Sequence, residues 1–332
     1  MSAWSRRRLG GALAAVVGLA LLTPGNAGAA TNREYPVVVH GHAPALHPEG
    51  VAFDPTRRAF LVGSLFHGTV SVVAPDGTTT TLVDDPRLVG TVGLHVDAAR
   101  GRILVTYGDI GISGGAEPDP AKRRTGLGIF DLRTGAALHV VDLAVGPGHT
   151  ANDVTFDRDG NAYVTDSESD VIYRVDPAGH ASEFVRDPRF AKTPGAAAGI
   201  NGIAWHPGGY LLVGKYDTGT LFRISTSGHH EVSEVRLDRP LVGADGIALH
   251  RNGDLVVVTN NLGGSPDAVD ALTVLRPRDN WHAARELSRD LWPVNDPTTV
   301  AVSPFGDYAV SGELAVLLGG AGTSDIFTLR RR

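Results

Sequence analysis

The chain has 332 residues, 42% of them hydrophobic and 20% charged, with 42 glycines, 20 prolines and no cysteine. That balance suits a globular protein long enough to bury a large core. The missing thiols exclude a disulfide framework, a cysteine nucleophile and any cysteine-based zinc centre, and a net charge of −6 without a basic stripe argues against a nucleic-acid partner.

The chain opens with a targeting pattern. Ser5-Arg6-Arg7-Arg8-Leu9 is a basic start, residues 10–22 are an apolar run, and Ala27-Gly28-Ala29 fits small-residue cleavage, so residues 1–29 read as a secretory signal peptide. The arginine pair directly before Leu9 points to twin-arginine export, with an ordinary arginine-rich signal as the alternative. The run is shorter than the roughly 20 residues of a membrane helix. The expectation is a secreted or cell-envelope protein with no stable membrane span after cleavage. Its mature chain, residues 30–332, would carry a net charge of −9.

From Glu49 onward one unit recurs: a small or polar pair, an apolar triplet, a polar turn and an apolar strand. The successive copies are Glu49-Gly-Val-Ala-Phe-Asp, Val92-Gly-Leu-His-Val-Asp, Asn152-Asp-Val-Thr-Phe-Asp, Asn201-Gly-Ile-Ala-Trp-His, Asp245-Gly-Ile-Ala-Leu-His and Thr298-Thr-Val-Ala-Val-Ser. Their spacings of 43, 60, 49, 44 and 53 residues fall at the period of propeller repeats. Within each copy short alternating segments are bounded by Gly, Asp and Pro, which describes antiparallel strands. Six such units predict an all-β, six-bladed β-propeller with four-stranded antiparallel blades over residues 30–332, rather than a sandwich. Residues Tyr35–Val39 read as a strand that closes the last blade against Asp325–Leu329. The insertion 108–126 in the second copy reads as a polar loop, either a lid over one face or a disordered excursion.

In a propeller the innermost strands border the axis, so equivalent positions at their starts form a ring. That ring reads Glu49, Val92, Asn152, Asn201, Asp245 and Thr298. Four of these are carboxylate or amide oxygen donors, the set a hard divalent cation takes. Asn201-Gly202 and Asp245-Gly246 also read as ordinary turns, because Asn and Asp before Gly favour them. His149, three residues before Asn152, is a candidate base. His95 and His42 are weaker candidates, and His206 and His250 occupy the turn position and read as structural. Trp205, Trp281 and Trp292 read as packing residues. No Gly-x-Ser-x-Gly nucleophile frame is present.

Glu-Gly, Asn-Asp, Asn-Gly and Asp-Gly at successive blade starts resemble the gluconolactonase and senescence marker protein (regucalcin) family, over roughly Pro44 to Leu329. The resemblance implies that Glu49, Asn152, Asn201 and Asp245 hold one divalent ion, Ca²⁺ first with Zn²⁺ or Mn²⁺ as alternatives. It also implies that Asp245 is the base that activates water in lactone hydrolysis. The sequence departs from the family at Val51-Ala52, where a proline and an aromatic are usual. It departs again around Gly93-Leu94-His95, where residues that grip sugar hydroxyls are not recognisable. The functional expectation is a monomeric, metal-dependent hydrolase of a small-molecule lactone or related ester, with Asp245 and His149 as catalytic candidates. The alternative is a non-catalytic exported propeller that binds a protein or glycan, and a lyase on the same ring is a third possibility.

Overall fold

The computed structural model describes residues 35–332, which form one compact unit. The signal segment lies outside the described residues. Six four-stranded antiparallel sheets are present, and five of them are built from consecutive strands. In the sixth, Val38–His42 pairs with Ile326–Arg331 beside Gly306–Ser311 and Pro297–Ser303, so the two ends of the described chain close the ring. Closure is as expected from the sequence, but the strand starts three residues later. Tyr35 instead packs edge-on to Phe60 and Tyr308 and stacks on Phe305.

Burial grades from the axis outward and explains the sequence pattern. The second strand of each blade is sandwiched between neighbouring blades. Ala59–Gly63, Tyr210–Lys215 and Leu255–Thr259 are accordingly buried at every position and nearly all apolar. The outer strands, such as Ala181–Arg186, are half exposed and mixed in character. The polar residue after the apolar triplet anchors the turn. Asp54 accepts from the Thr56 amide at 2.8 Å and from Arg57 at 2.6 Å, Asp157 accepts from Asn161, and His250 Nε2 lies 2.9 Å from Asp307. His206 stacks on Tyr210, so both of these histidines are structural, as their turn position suggested. Trp281 is buried in an inter-blade cluster, and Trp205 and Trp292 pack on others.

The glycine of each leading pair is fixed by crowding at the axis. A Cβ on Gly50 would meet Val92 O at 2.2 Å, one on Gly202 would meet Asp245 O at 2.3 Å, and one on Gly246 would meet Thr299 Oγ1 at 1.9 Å. These inner strands thus lean on the leading pair of the next blade. Asn201-Gly202 and Asp245-Gly246 lie inside strands Ile200–His206 and Ala244–Leu249, so the turn reading of these pairs is replaced. Gly246→Ala is expected to destabilise the fold by about 1–3 kcal/mol, as overpacking does, with urea denaturation as the measurement.

Candidate functional site

Five of the six inner strands carry a register shift at the leading pair: between Thr91 and Leu94, Ala151 and Val154, Ile200 and Ile203, Ala244 and Ile247, and Pro297 and Val300. A bulge re-aims the side chains that it contains. Here it turns the first residue of each pair away from the ladder alternation and toward the axis. Hydroxyls of the preceding blade hold the ring backbone. Thr106 Oγ1 donates to Asn152 O, Thr165 Oγ1 donates to Asn201 O at 2.6 Å, and Thr298 Oγ1 donates to Glu49 O at 2.6 Å across the closure.

The expected ligands share one unusual state. Glu49 Oε2, Asn152 Oδ1, Asn201 Oδ1 and Asp245 Oδ1 are all buried, and none has a hydrogen-bond partner in the protein. A buried oxygen without a partner costs about 1–3 kcal/mol. Four such oxygens stand at equivalent positions of four blades. Their chemistry fits a divalent cation: two carboxylates and two amide carbonyls, all oxygen. The remaining ring positions play other parts. The Thr298 hydroxyl is engaged with Glu49 O, and Val92 is buried among apolar side chains.

The charges press on one another. Burial first, and then the Asp245 and Asp153 charges, push Glu49 well above the usual carboxylate range. Burial raises Asp245 to about 7, opposed by the side-chain hydrogen bond from Asn260 and a weaker approach of the Asn201 amide, with the Asp153 charge adding to it. Burial likewise raises Asp153 to about 7, against hydrogen bonds from the Val154 and Ile203 amides. Asp153 was not singled out from the sequence. Its carboxylate borders a cavity of about 670 Å³ that opens on the face opposite the ring, lined also by His95, Phe156 and Trp205. His95 lies edge-on to Phe156 at that end, and burial lowers its pKa.

Asn260, also not anticipated, is the keystone beside Asp245. Its Nδ2 donates to Asp245 Oδ2 at 2.6 Å and to Pro297 O at 2.8 Å, and its Oδ1 accepts from Tyr216 OH at 2.7 Å and from the Leu262 amide at 3.2 Å. With Oδ2 so occupied, Asp245 Oδ1 is the oxygen left for an ion. Asn260→Leu is expected to cost about 1–3 kcal/mol for each group that it orphans. Urea denaturation measures that loss.

His149 sits on the loop before Ala151–Phe156, one third exposed, with Nδ1 2.7 Å from Asp166 Oδ2. The fully buried Asp166 carboxylate also takes the Thr150 amide at 2.8 Å. A carboxylate only accepts, so the nitrogen facing Asp166 is the donor and the Nε2 edge is turned the other way. His42 lies exposed in the closing strand, away from this arrangement.

No protein-family model and no curated protein matches the sequence. Solved structures do match. The major Malassezia sympodialis allergen Mala s 1 is 19% identical with a TM-score of 0.69, covering 89% of this chain and 95% of its own. A gluconolactonase from Xanthomonas campestris is 17% identical with a TM-score of 0.59, covering 88% of each chain. A calcium-binding regucalcin from Agrobacterium tumefaciens is 16% identical with a TM-score of 0.58, covering 87% of this chain and 93% of its own. The chain shares their fold. The resemblance read from the blade-start motifs therefore holds at the level of architecture, and at these identities it carries the fold alone.

Proposed function

We propose that the chain is a divalent-metal-dependent hydrolase of a lactone or related ester, with calcium as the ion. The observation that carries this reading is the set of four buried, unpartnered oxygens on Glu49, Asn152, Asn201 and Asp245. An all-oxygen set suits calcium better than zinc. Bound there, such an ion polarises an ester carbonyl and lowers the pKa of water.

Asp245 supplies the base. Its Oδ1 faces the ion, so the proton of the attacking water goes to the second lone pair of Oδ2, which the Asn260 amide holds in place. The water oxygen bonds to the carbonyl carbon, the ring C–O bond breaks, and the proton passes to the leaving alkoxide, giving the hydroxy acid. His149 Nε2, oriented through Asp166, is a second proton carrier at the rim. Export, a monomeric state and the absence of a nucleic-acid partner complete the proposal.

One observation favours a second reading. Glu49, Asn201 and Asp245 are only 8%, 4% and 5% exposed, as suits an ion that merely pins the inner strands of a binding propeller. A lactone and aryl-ester panel assayed with Ca²⁺, Zn²⁺, Mn²⁺ and EDTA decides between them. Metal-restored, EDTA-sensitive turnover supports the hydrolase, and an ion that binds tightly without any turnover supports the structural role.

A further inference from the structure

The insertion 108–126 is ordered and is not an excursion. Asp109 accepts the amides of Gly111 and Glu117, and Ile112 packs with Leu65 and Val92 on the ring side. The opposite face is open. There all six inner strands line the cavity of about 670 Å³, a size within the roughly 300–1,000 Å³ of small-molecule sites. Its wall is aliphatic and aromatic, with Phe53, Phe156 and Trp205 each half-buried. His95 stands beside Phe156, accessible to the cavity, and the surrounding protein holds it toward its neutral form.

Most polar groups of the lining are already engaged. Thr155 Oγ1 accepts the Trp205 amide at 3.0 Å, His250 faces Asp307, and Asn252 bonds to Asp254. Asp153 is different. Its oxygens accept the Val154 amide at 2.8 Å and the Ile203 amide at 3.1 Å. Two neutral donors hold the carboxylate in place, and among the described residues no cation closes on it. Arg251, in the turn after Ala244–Leu249, stands at the mouth, a strand's length from Asp153. The Asp153 charge instead reaches Glu49 and Asp245, which it pushes up. A divalent ion on the ring would balance those two carboxylates and leave Asp153 as the surplus charge.

We propose that this cavity binds a small primary amine with an apolar body, its ammonium on Asp153 and its body against Phe53, Phe156, Trp205 and His95. A charge set among apolar walls needs a partner of opposite sign. The lone pairs of Asp153 left over by the two backbone amides accept N–H bonds from an ammonium. The aromatic side chains attract a cation by their faces and cover an apolar body. A neutral ligand leaves the Asp153 charge unmet, and an anionic one is repelled by it. A bare inorganic cation would leave the apolar wall in contact with water, so the wall selects an organic one. The site lies on the far face from the ring and does not depend on the hydrolase reading.

The test is isothermal titration calorimetry of the calcium-loaded chain with phenethylamine, beside 2-phenylethanol and 3-phenylpropanoate, which keep the body and change the head group. The amine should bind about tenfold to a hundredfold more tightly than the alcohol, the difference that a hydrogen bond to a charged group makes, and the acid should not bind. In Asp153→Asn the amine should fall to the level of the alcohol while the alcohol keeps its affinity. A dissociation constant does not depend on how much of the variant folds. His95→Trp, which fills part of the cavity and leaves Asp153 in place, should weaken amine and alcohol together. An alcohol that binds as tightly as the amine, an amine preference that survives Asp153→Asn, or no binding at all overturns the inference. Displacement of the amine by added calcium would put it on the ring and overturn the inference as well. None of these outcomes bears on hydrolysis.

Discussion

Asp245→Asn is expected to lower kcat by about two to four orders of magnitude, the usual consequence of losing a general base. The surroundings of Asp245 make the expectation more specific. Asn260 donates to Asp245 Oδ2 and cannot simply turn its amide over, because its Oδ1 accepts from Tyr216 and Leu262 while its Nδ2 also serves Pro297 O. An amide at position 245 must therefore either set its NH₂ against the Asn260 NH₂ or aim its NH₂ at the ion. Both weaken metal binding, so the single variant should lose affinity as well as turnover. The double variant Asp245→Asn/Asn260→Asp restores a donor facing an acceptor. The new carboxylate also faces Pro297 O, to which Asn260 donates, so calcium affinity should recover only in part in calorimetry while turnover stays low. A double variant that hydrolyses at the wild-type rate would mean that another group takes the proton, His149 being the first candidate.

Without metal, the chain should be most stable in mild acid and lose stability as the pH rises. Asp245 and Asp153 titrate near 7 in the fold, and Glu49 lies well above its ordinary range. In the unfolded chain such carboxyls titrate near about 4. Between these values the folded state holds more protons than the unfolded one, so unfolding free energy falls with rising pH. The stability conferred by the raised values is complete below about pH 4 and is lost as the pH passes the folded values. Calcium bound at the proposed site should reverse the trend, because a cation takes the ionised carboxylates and the site exists only in the native state. At about a thousandfold excess over its dissociation constant a ligand adds roughly 4 kcal/mol. The calcium-induced rise in Tm should therefore be large at pH 8 and small at pH 5, read by scanning calorimetry. A rise equal at both pH values would show that the ion does not sit on these carboxylates.

The parts of this molecule that were legible in the sequence are those where one physical demand acts alone. Inner and second strands are buried on both faces, so Phe60-Leu61-Val62 and Leu211-Leu212-Val213 stand out as apolar runs. The ring donors stand out because polar residues recur where the repeat otherwise turns apolar. The outer strands do not, since half-exposed segments such as Val232–Glu234 carry no strict alternation. Asp153 had a signal that was passed over: it takes the second place of the pair, where Gly50, Gly93, Gly202 and Gly246 stand elsewhere, and so is the one ionisable side chain brought to the axis there. Asn260 also had a weak one. It directly follows its strand as Ser167 does in the third blade, and both donate to the carbonyl just before the next ring residue, Pro297 and Ile200. The apolar cluster around Val92 had none. Ile112 stands alone between Gly111 and Ser113, and Phe66 and Leu262 are single residues in turns, so their meeting is a product of the closed ring and not of any local pattern.

The central claim is that the four oxygens hold one ion. Elemental analysis of the purified chain after calcium loading and gel filtration tests it most directly, with Asn201→Ala and Glu49→Gln run alongside. The account predicts about one divalent ion per chain in the wild type, lost or sharply reduced in both variants. A wild-type chain that retains no ion, or variants that retain it undiminished, would contradict it.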